Sequence, residues 1–155
     1  MTQEQCKLET IQHIDTVRKY IKIVTDALSN RATKHDSTKI ESPELEIFTE
    51  HTPELEKLTY GSSEYNECLE KLDVALKHHY ANNRHHPEHF VNGIDDMNLI
   101  DIVEMFCDWK ASSLRQHDGN LLQSIEISAQ RFGCSEQLKR IFINTANLLD
   151  ESDSK

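Results

Sequence analysis

The sequence predicts an all-α fold, and three observations carry that expectation. Apolar side chains recur at three- and four-residue steps along several segments. Leu, Ile, Glu, Lys and Gln, which favour helix, recur throughout. The chain has only 4 Gly and 3 Pro in 155 residues, too few for a turn-dense β architecture. The expected form is one compact domain, residues 1–155, built as a bundle of six to seven helices. It is long enough to bury a core, with a tail expected to fray from about residue 150.

Each helix has its own justification. In residues 8–28, Ile11, Ile14, Val17, Ile21, Val24 and Leu28 form one stripe, with His13 beside it. Residues 30–40 lack periodicity, which predicts a short helix with irregular ends. SPELEIF predicts a helix start, with Ser42 as N-cap and Pro43 at the first helical position. HTPELEKL repeats that signal at Thr52 and Pro53. Both read as peripheral acidic helices, with a lid over a site as the alternative. From Ser63 to Tyr80, the residues Tyr65, Cys68, Leu69, Leu72, Ala75 and Leu76 share a face, and His79 falls near its centre. His78 points away from it. Pro87 predicts an irregular stretch after Asn83. Asn98 reads as the N-cap of a helix running to about Arg115, with Asp101 as its capping partner. Its expected apolar face is Leu99, Ile102, Val103, Phe106 and Trp109, beside an acidic stripe of Asp101, Glu104 and Asp108. HDGN reads as a turn. Two last helices, 121–132 and 135–149, are separated by Gly133 and capped by Ser135.

The formal net charge of −10 disfavours a nucleic-acid polymer, whose phosphates require Lys and Arg. It leaves room for a small phosphate ligand where a metal inverts the local field. Cys6, Cys68, Cys107 and Cys134 form no C-x-x-C pair, the pattern of a reduced, cytoplasmic protein. No apolar run approaches the ~20 residues that span a bilayer, and no signal-peptide core opens the chain.

Five of the nine histidines fall in residues 78–90, HHYANNRHHPEHF. Together with His13, the adjacent His35 and Asp36, and Asp108, they form a scattered set of ligand-type residues. Brought together by a helical domain, imidazoles and carboxylates suit Mn, Fe, Co, Ni or Zn. Read singly, each has a plainer meaning. His13 fits a helix surface, His35–Asp36 fits a cap, and His51, His78, His89 and His117 read as ordinary. His79, centred on an apolar face, needs a buried partner, and a metal is one of the common ones.

The order His … His-Asp … His … His-His … Asp resembles the HD-domain superfamily of metal-dependent phosphohydrolases. The segments HDSTK, HYANNRHHPEH and EMFCDW further resemble a small family of HD-like proteins of bacteria and phages, over His13 to about Leu149. That resemblance implies an HD-like helical bundle in which His13, His35, Asp36 and Asp108 hold a divalent metal. It implies that Lys39 meets substrate phosphate. CDWKAS favours Asp108 over Asp101 as the last ligand. His79 and His86 are the expected further ligands, for one ion or two, and His85 the expected catalytic imidazole, although assignment among the three stays open. Glu104 is expected to orient a ligand histidine or act as a base, and Asn83 and Arg84 to contact substrate. The implied activity is hydrolysis of a nucleotide or related small phosphoester by metal-activated water. The alternatives are a nucleotide-binding module that does not cleave, a di-iron oxygenase on the same scaffold, and a helical interaction protein with incidental histidines. The expected partner is a small phosphorylated substrate, with neither nucleic-acid polymer nor membrane, and a homodimer is compatible.

Overall fold

The computed structural model describes residues 1–55, 63–115 and 120–153. Among them every regular element is helical: α1 Gln3–Lys34, α2 Glu44–Leu55, α3 Ser63–Asn82, α4 Leu99–Arg115, α5 Leu121–Phe132 and α6 Glu136–Asp153. Short 3₁₀ turns occupy Ser37–Ile40, Pro87–His89 and Gly93–Asp96. The chain divides into two compact units, Met1–His35 and Asp36–Lys155. No helix among the described residues is long and apolar enough to cross a membrane.

The first unit is α1, longer at both ends than its apolar stripe predicts. Thr2 caps it through a reciprocal pair, its hydroxyl accepting from Gln5 N–H while the Gln5 side chain accepts from Thr2 N–H. The helix runs through the segment expected to be irregular, as far as Lys34, because Ala, Lys and Arg there support helix and nothing before Asp36 breaks it. None of its residues is buried.

In the second unit, α2 begins at Glu44 rather than at Pro43. The Pro43 carbonyl accepts the first helical bond, from Ile47 N–H at 3.4 Å. The second start signal at Thr52–Pro53 opens no new helix, since α2 continues through Pro53. Proline removes one N–H, and near the end of a helix that loss is small. The rest of HTPELEKL and residues 117–119 of HDGN lie outside the described residues, while Asn120 caps α5, its Oδ1 accepting from Gln123 N–H. α2 packs on α3, whose inner face buries Cys68, Leu72, Ala75 and His79. α4, α5 and α6 share a core of Met105, Phe106, Leu121, Ile125, Phe142 and Ala146. Phe106 and Phe142 stack at 5.5 Å, and Trp109 meets Phe142 edge-on at 5.3 Å. Gly133 ends α5 in the left-handed region (φ 67°), and Ser135 Oγ accepts from Leu138 N–H to start α6. α6 continues to Asp153, past the point where fraying was expected.

The orientation of α4 differs from its apolar pattern. Leu99 and Val103 are exposed, while Asp101, Met105 and Phe106 are buried. The acidic stripe therefore turns inward. Asp101 is 0 % exposed because the Arg84 guanidinium grips it with two bonds, Nε to Oδ1 at 3.1 Å and Nη2 to Oδ2 at 2.9 Å. Its N-cap reading also holds, since Asn98 Oδ1 accepts from Ile100 and Asp101 N–H and Asn98 N–H donates to Asp101 Oδ2.

Candidate metal centre

The centre is assembled from separate segments of the second unit. Asp36 opens it with a backbone in the left-handed region (φ 54°, ψ 17°), a conformation that aspartate tolerates better than most residues. This turn lets the 3₁₀ segment Ser37–Ile40 leave at a sharp angle. The last turn of α3 supplies His79, and the irregular stretch after Asn83 supplies His85 and His86. Pro87 sets that stretch, holding His86 extended (φ −98°, ψ 127°) at the head of a 3₁₀ turn.

One oxygen of Asp36 and one ring nitrogen from each of the three histidines lie within 4.8 Å of one another. Asp36 Oδ1 is 3.3 Å from His79 Nε2 and 3.4 Å from His85 Nε2, and His79 Nε2 is 2.9 Å from His86 Nε2. Metal–ligand bonds of about 2.0–2.2 Å put neighbouring donors about 2.8–3.6 Å apart at octahedral or tetrahedral angles. The spacings match the edges of such a polyhedron. A shared proton can hold two ring nitrogens at 2.9 Å, but it does not account for a carboxylate oxygen and a third imidazole nitrogen converging there as well. The residues present fit a divalent transition metal, with three nitrogens and one oxygen.

Carboxylates stand behind two of the rings. Glu44, the first residue of α2 and 0 % exposed, meets His79 Nδ1 through Oε2 at 2.9 Å and His78 Nδ1 through Oε1 at 2.7 Å. Burial opposes its ionisation, but hydrogen bonds from His78, Thr38 and His79 outweigh burial and hold its carboxyl below the usual value. A carboxylate only accepts, so both Nδ1 atoms donate and His79 turns its Nε2 lone pair to the centre. Glu104 stands in the corresponding place behind His85, with Oε1 3.4 Å from Nδ1 while Nε2 faces Asp36. His86 is pushed down to about 3, first by burial and then by the neighbouring His85 and His79, so it presents a neutral ring at neutral pH. Lys39 Nζ donates to Asp36 Oδ2 at 2.7 Å, on the side of the carboxylate away from the histidines. Asp108 brings a carboxylate oxygen within 4.8 Å of one of Asp36.

The sequence-derived set is thus partly brought together. Asp36, His79, His85, His86, Glu104, Asp108 and Lys39 meet in the second unit. His85, expected as a catalytic imidazole, stands in the ligand group itself. His35 caps the end of α1, one peptide bond before Asp36, and His13 is an exposed residue of α1; both belong to the first unit. The two residues expected to contact substrate both bond within the protein. Asn83 is buried, and its amide donates to Thr38 Oγ1 at 2.8 Å and to the His79 carbonyl at 2.9 Å. The Arg84 fork is taken by Asp101. Glu44 and His78 were not anticipated. Glu44 looked like one acid of a peripheral helix, and no spacing rule ties residue 44 to residues 78 and 79.

Beside the centre lies a cavity of about 230 Å³, with His85, His86 and Asp108 among its lining residues. The chain belongs to a family described as a family of unknown function (DUF5662), whose model matches residues 2–151. No curated protein matches the chain, and no solved structure does.

Proposed function

We propose that the protein is a metal-dependent phosphohydrolase acting on a small phosphate ester, with Asp36, His79, His85 and His86 holding the metal. The observation that carries this reading is the convergence of four donor atoms within 4.8 Å of one another, three of their separations at polyhedron-edge length, with carboxylates behind two of the rings. The resemblance to the HD-domain superfamily supports the reaction class. A divalent cation supplies Lewis acidity toward water and positive charge at the phosphoryl oxygens.

The chain's own residues do the remaining work. Glu44 and Glu104 keep the Nδ1 protons of His79 and His85 away from the centre, so that both Nε2 atoms remain donors of electron pairs. Lys39 neutralises the outer oxygen of Asp36 and, with its side chain 42 % exposed, can reach a phosphoryl oxygen. Asp108 is a carboxylate at the junction of centre and cavity, suited to accept a proton from water. In the net reaction the water oxygen bonds to phosphorus and the ester P–O bond breaks. The alcohol leaves with one of the water protons.

The test is phosphate release from a panel of nucleotides and simple phosphate esters with Mn²⁺, Co²⁺, Ni²⁺ or Mg²⁺, with metal content measured in parallel. Turnover that requires metal and vanishes in Asp36→Asn and His79→Gln is the expected result. Turnover surviving those substitutions, or a protein that retains no metal, sinks the reading. A panel bound saturably but never cleaved favours a module that only captures its ligand.

A further inference from the structure

Resting on that reading, we infer that the 230 Å³ cavity is the substrate subsite, that it selects an ester whose leaving group is a single planar ring, and that it takes the anion only after the metal. Its position comes first. His85 and His86 line the cavity and also point their Nε2 atoms at the donor cluster, so one end of the cavity is the metal site itself. Its walls also carry the rings of Tyr80, 5.0 Å from the His86 ring, and of Trp109 and Phe132. The rings of Trp109 and Phe132 are parallel within 7°, with centroids 6.3 Å apart. A ligand that satisfies both the metal end and these walls carries an anionic group and a flat, apolar one.

Size narrows the class. Pockets for drug-sized ligands run about 300–1,000 Å³, and this one is smaller. It suits one ring and one phosphoryl group and excludes a dinucleotide or a polymer. Charge sets the order of binding. Arg131 is the cation of the lining, but its Nη2 is paired with Glu88 Oε1 at 2.8 Å and its guanidinium covers the Phe132 ring at 4.8 Å. Asp108 adds a second carboxylate at the metal end. With Glu88 and Asp108 beside the one guanidinium, the lining carries no net positive charge to draw an anion. A cation at the donor cluster supplies most of that attraction, with Lys39 beside it.

Trp109 is the one tryptophan of the chain and lines the cavity, so its fluorescence reports occupancy without catalysis. The probes are phenylphosphonate and methylphosphonate, which share a charged group, differ by a ring and have no ester bond to cleave. The full chain is titrated with each, once loaded with Mn²⁺ to a measured stoichiometry and once in chelator. Phenylphosphonate is expected to bind the loaded protein about tenfold more tightly than methylphosphonate, the size of a stacking contribution of about 1.4 kcal/mol. Its affinity is expected to fall at least tenfold in chelator. Phe132→Leu is expected to erase most of the preference for the ring while metal stoichiometry and methylphosphonate affinity stay put. Equal affinity for the two probes, undiminished binding in chelator, or a ring preference that survives Phe132→Leu overturns the inference while leaving the metal reading intact. A protein that retains no metal in the parallel measurement overturns both.

Discussion

Substituting Glu44 by glutamine removes one charge and almost no volume from a position with 0 % exposure. The carboxylate accepts from His78 Nδ1 at 2.7 Å and from His79 Nδ1 at 2.9 Å. A glutamine oxygen can accept one of these, and its NH₂ group then confronts the other N–H. One charge-assisted bond, worth about 1.5–3 kcal/mol, is lost, and the other weakens to a neutral one of about 0.5–1.5 kcal/mol. The expected cost to the metal-free protein is about 2–4 kcal/mol. At roughly 2–4 °C per kcal/mol for a chain of this size, the melting temperature falls by roughly 5–15 °C. Metal affinity has a separate expectation. Loss of the carboxylate behind a ligand histidine typically costs about 10–100-fold. Thermal melts in chelator measure the first quantity, and a Co²⁺ or Mn²⁺ titration well below the melting temperature measures the second. His78→Ala is the comparison, because His78 touches the same carboxylate but is outside the donor cluster. It is expected to lower stability and leave metal affinity within about threefold, well short of the loss of an orienting partner. If Glu44→Gln binds metal as the wild type does, or loses no more affinity than His78→Ala, Glu44 does not orient His79 and the reasoning fails.

Saturating metal, at about a hundred times its dissociation constant, adds about 2.7 kcal/mol to stability. By the same conversion the melt rises by roughly 5–11 °C. A scanning-fluorimetry shift that chelator reverses is the check, and Asp36→Asn, which keeps a residue tolerant of the left-handed backbone, abolishes it. Arg84→Met takes the two guanidinium bonds from the buried Asp101 carboxylate, which keeps the Asn98 N–H, and is expected to cost about 1.5–3 kcal/mol in urea denaturation, with Asp101→Asn added on top recovering a part. A near-neutral Arg84→Met would mean that the ion pair is not what keeps α4 turned. Gly133→Ala places a side chain in open space but at φ +67°, so the loss is confined to the backbone and is about 1–2 kcal/mol. A larger loss in the same denaturation assay refutes that account.

Much of the fold was legible because its signals are local. Ser135 and Gly133 mark one helix junction, Asn98 and Asp101 cap another, and the face of α3 put His79 inside. The boundaries that differ also have local causes. Pro53 reads as a start but sits late in a helix where one missing N–H is tolerated, and residues 30–34 lack an apolar pattern but have nothing that stops helix. The site was legible only as an inventory. Histidine clustering and the His-Asp pair singled out Asp36, His79, His85, His86 and Asp108, which fall in groups that could hold a metal, because residue type alone limits what can ligate. The roles of their neighbours were not legible. Asn83 and Arg84 adjoin the histidines in sequence, and in the fold Asn83 bonds Thr38 and the His79 carbonyl while Arg84 bonds Asp101. Glu44, more than thirty residues away, is the carboxylate that meets His79. The turn of α4 misled for a related reason. Apolarity assigned Leu99 and Val103 to the inner face, but the half-exposed Arg84 and the buried His85 stand against Asp101 and Glu104, and partnered carboxylates outcompete two apolar side chains for that face.

The acidic side chains around the histidines also bear on how a cation would be held there. Asp36, Glu44, Glu104 and Asp108 come from the first turn of the unit, from α2 and from α4, and each is within reach of a ligand imidazole or of Asp36 itself. Bringing that many carboxylates together in a partly dry environment is unfavourable without positive charge among them. Lys39 answers one oxygen of Asp36 from the outside. Protons on the imidazoles are a second source, but a ring such as His86, whose charged form is opposed by burial and by two neighbouring rings, supplies little of it at neutral pH. A divalent cation at the point where the Nε2 atoms meet offsets the carboxylates directly. Its affinity then depends on α2 and α4 both docking against the end of α3, since each contributes a carboxylate that orients one ring. On the proposed reading, metal binding would therefore also measure tertiary packing: a substitution that loosens α2 from α3 should weaken the metal even where it touches no ligand.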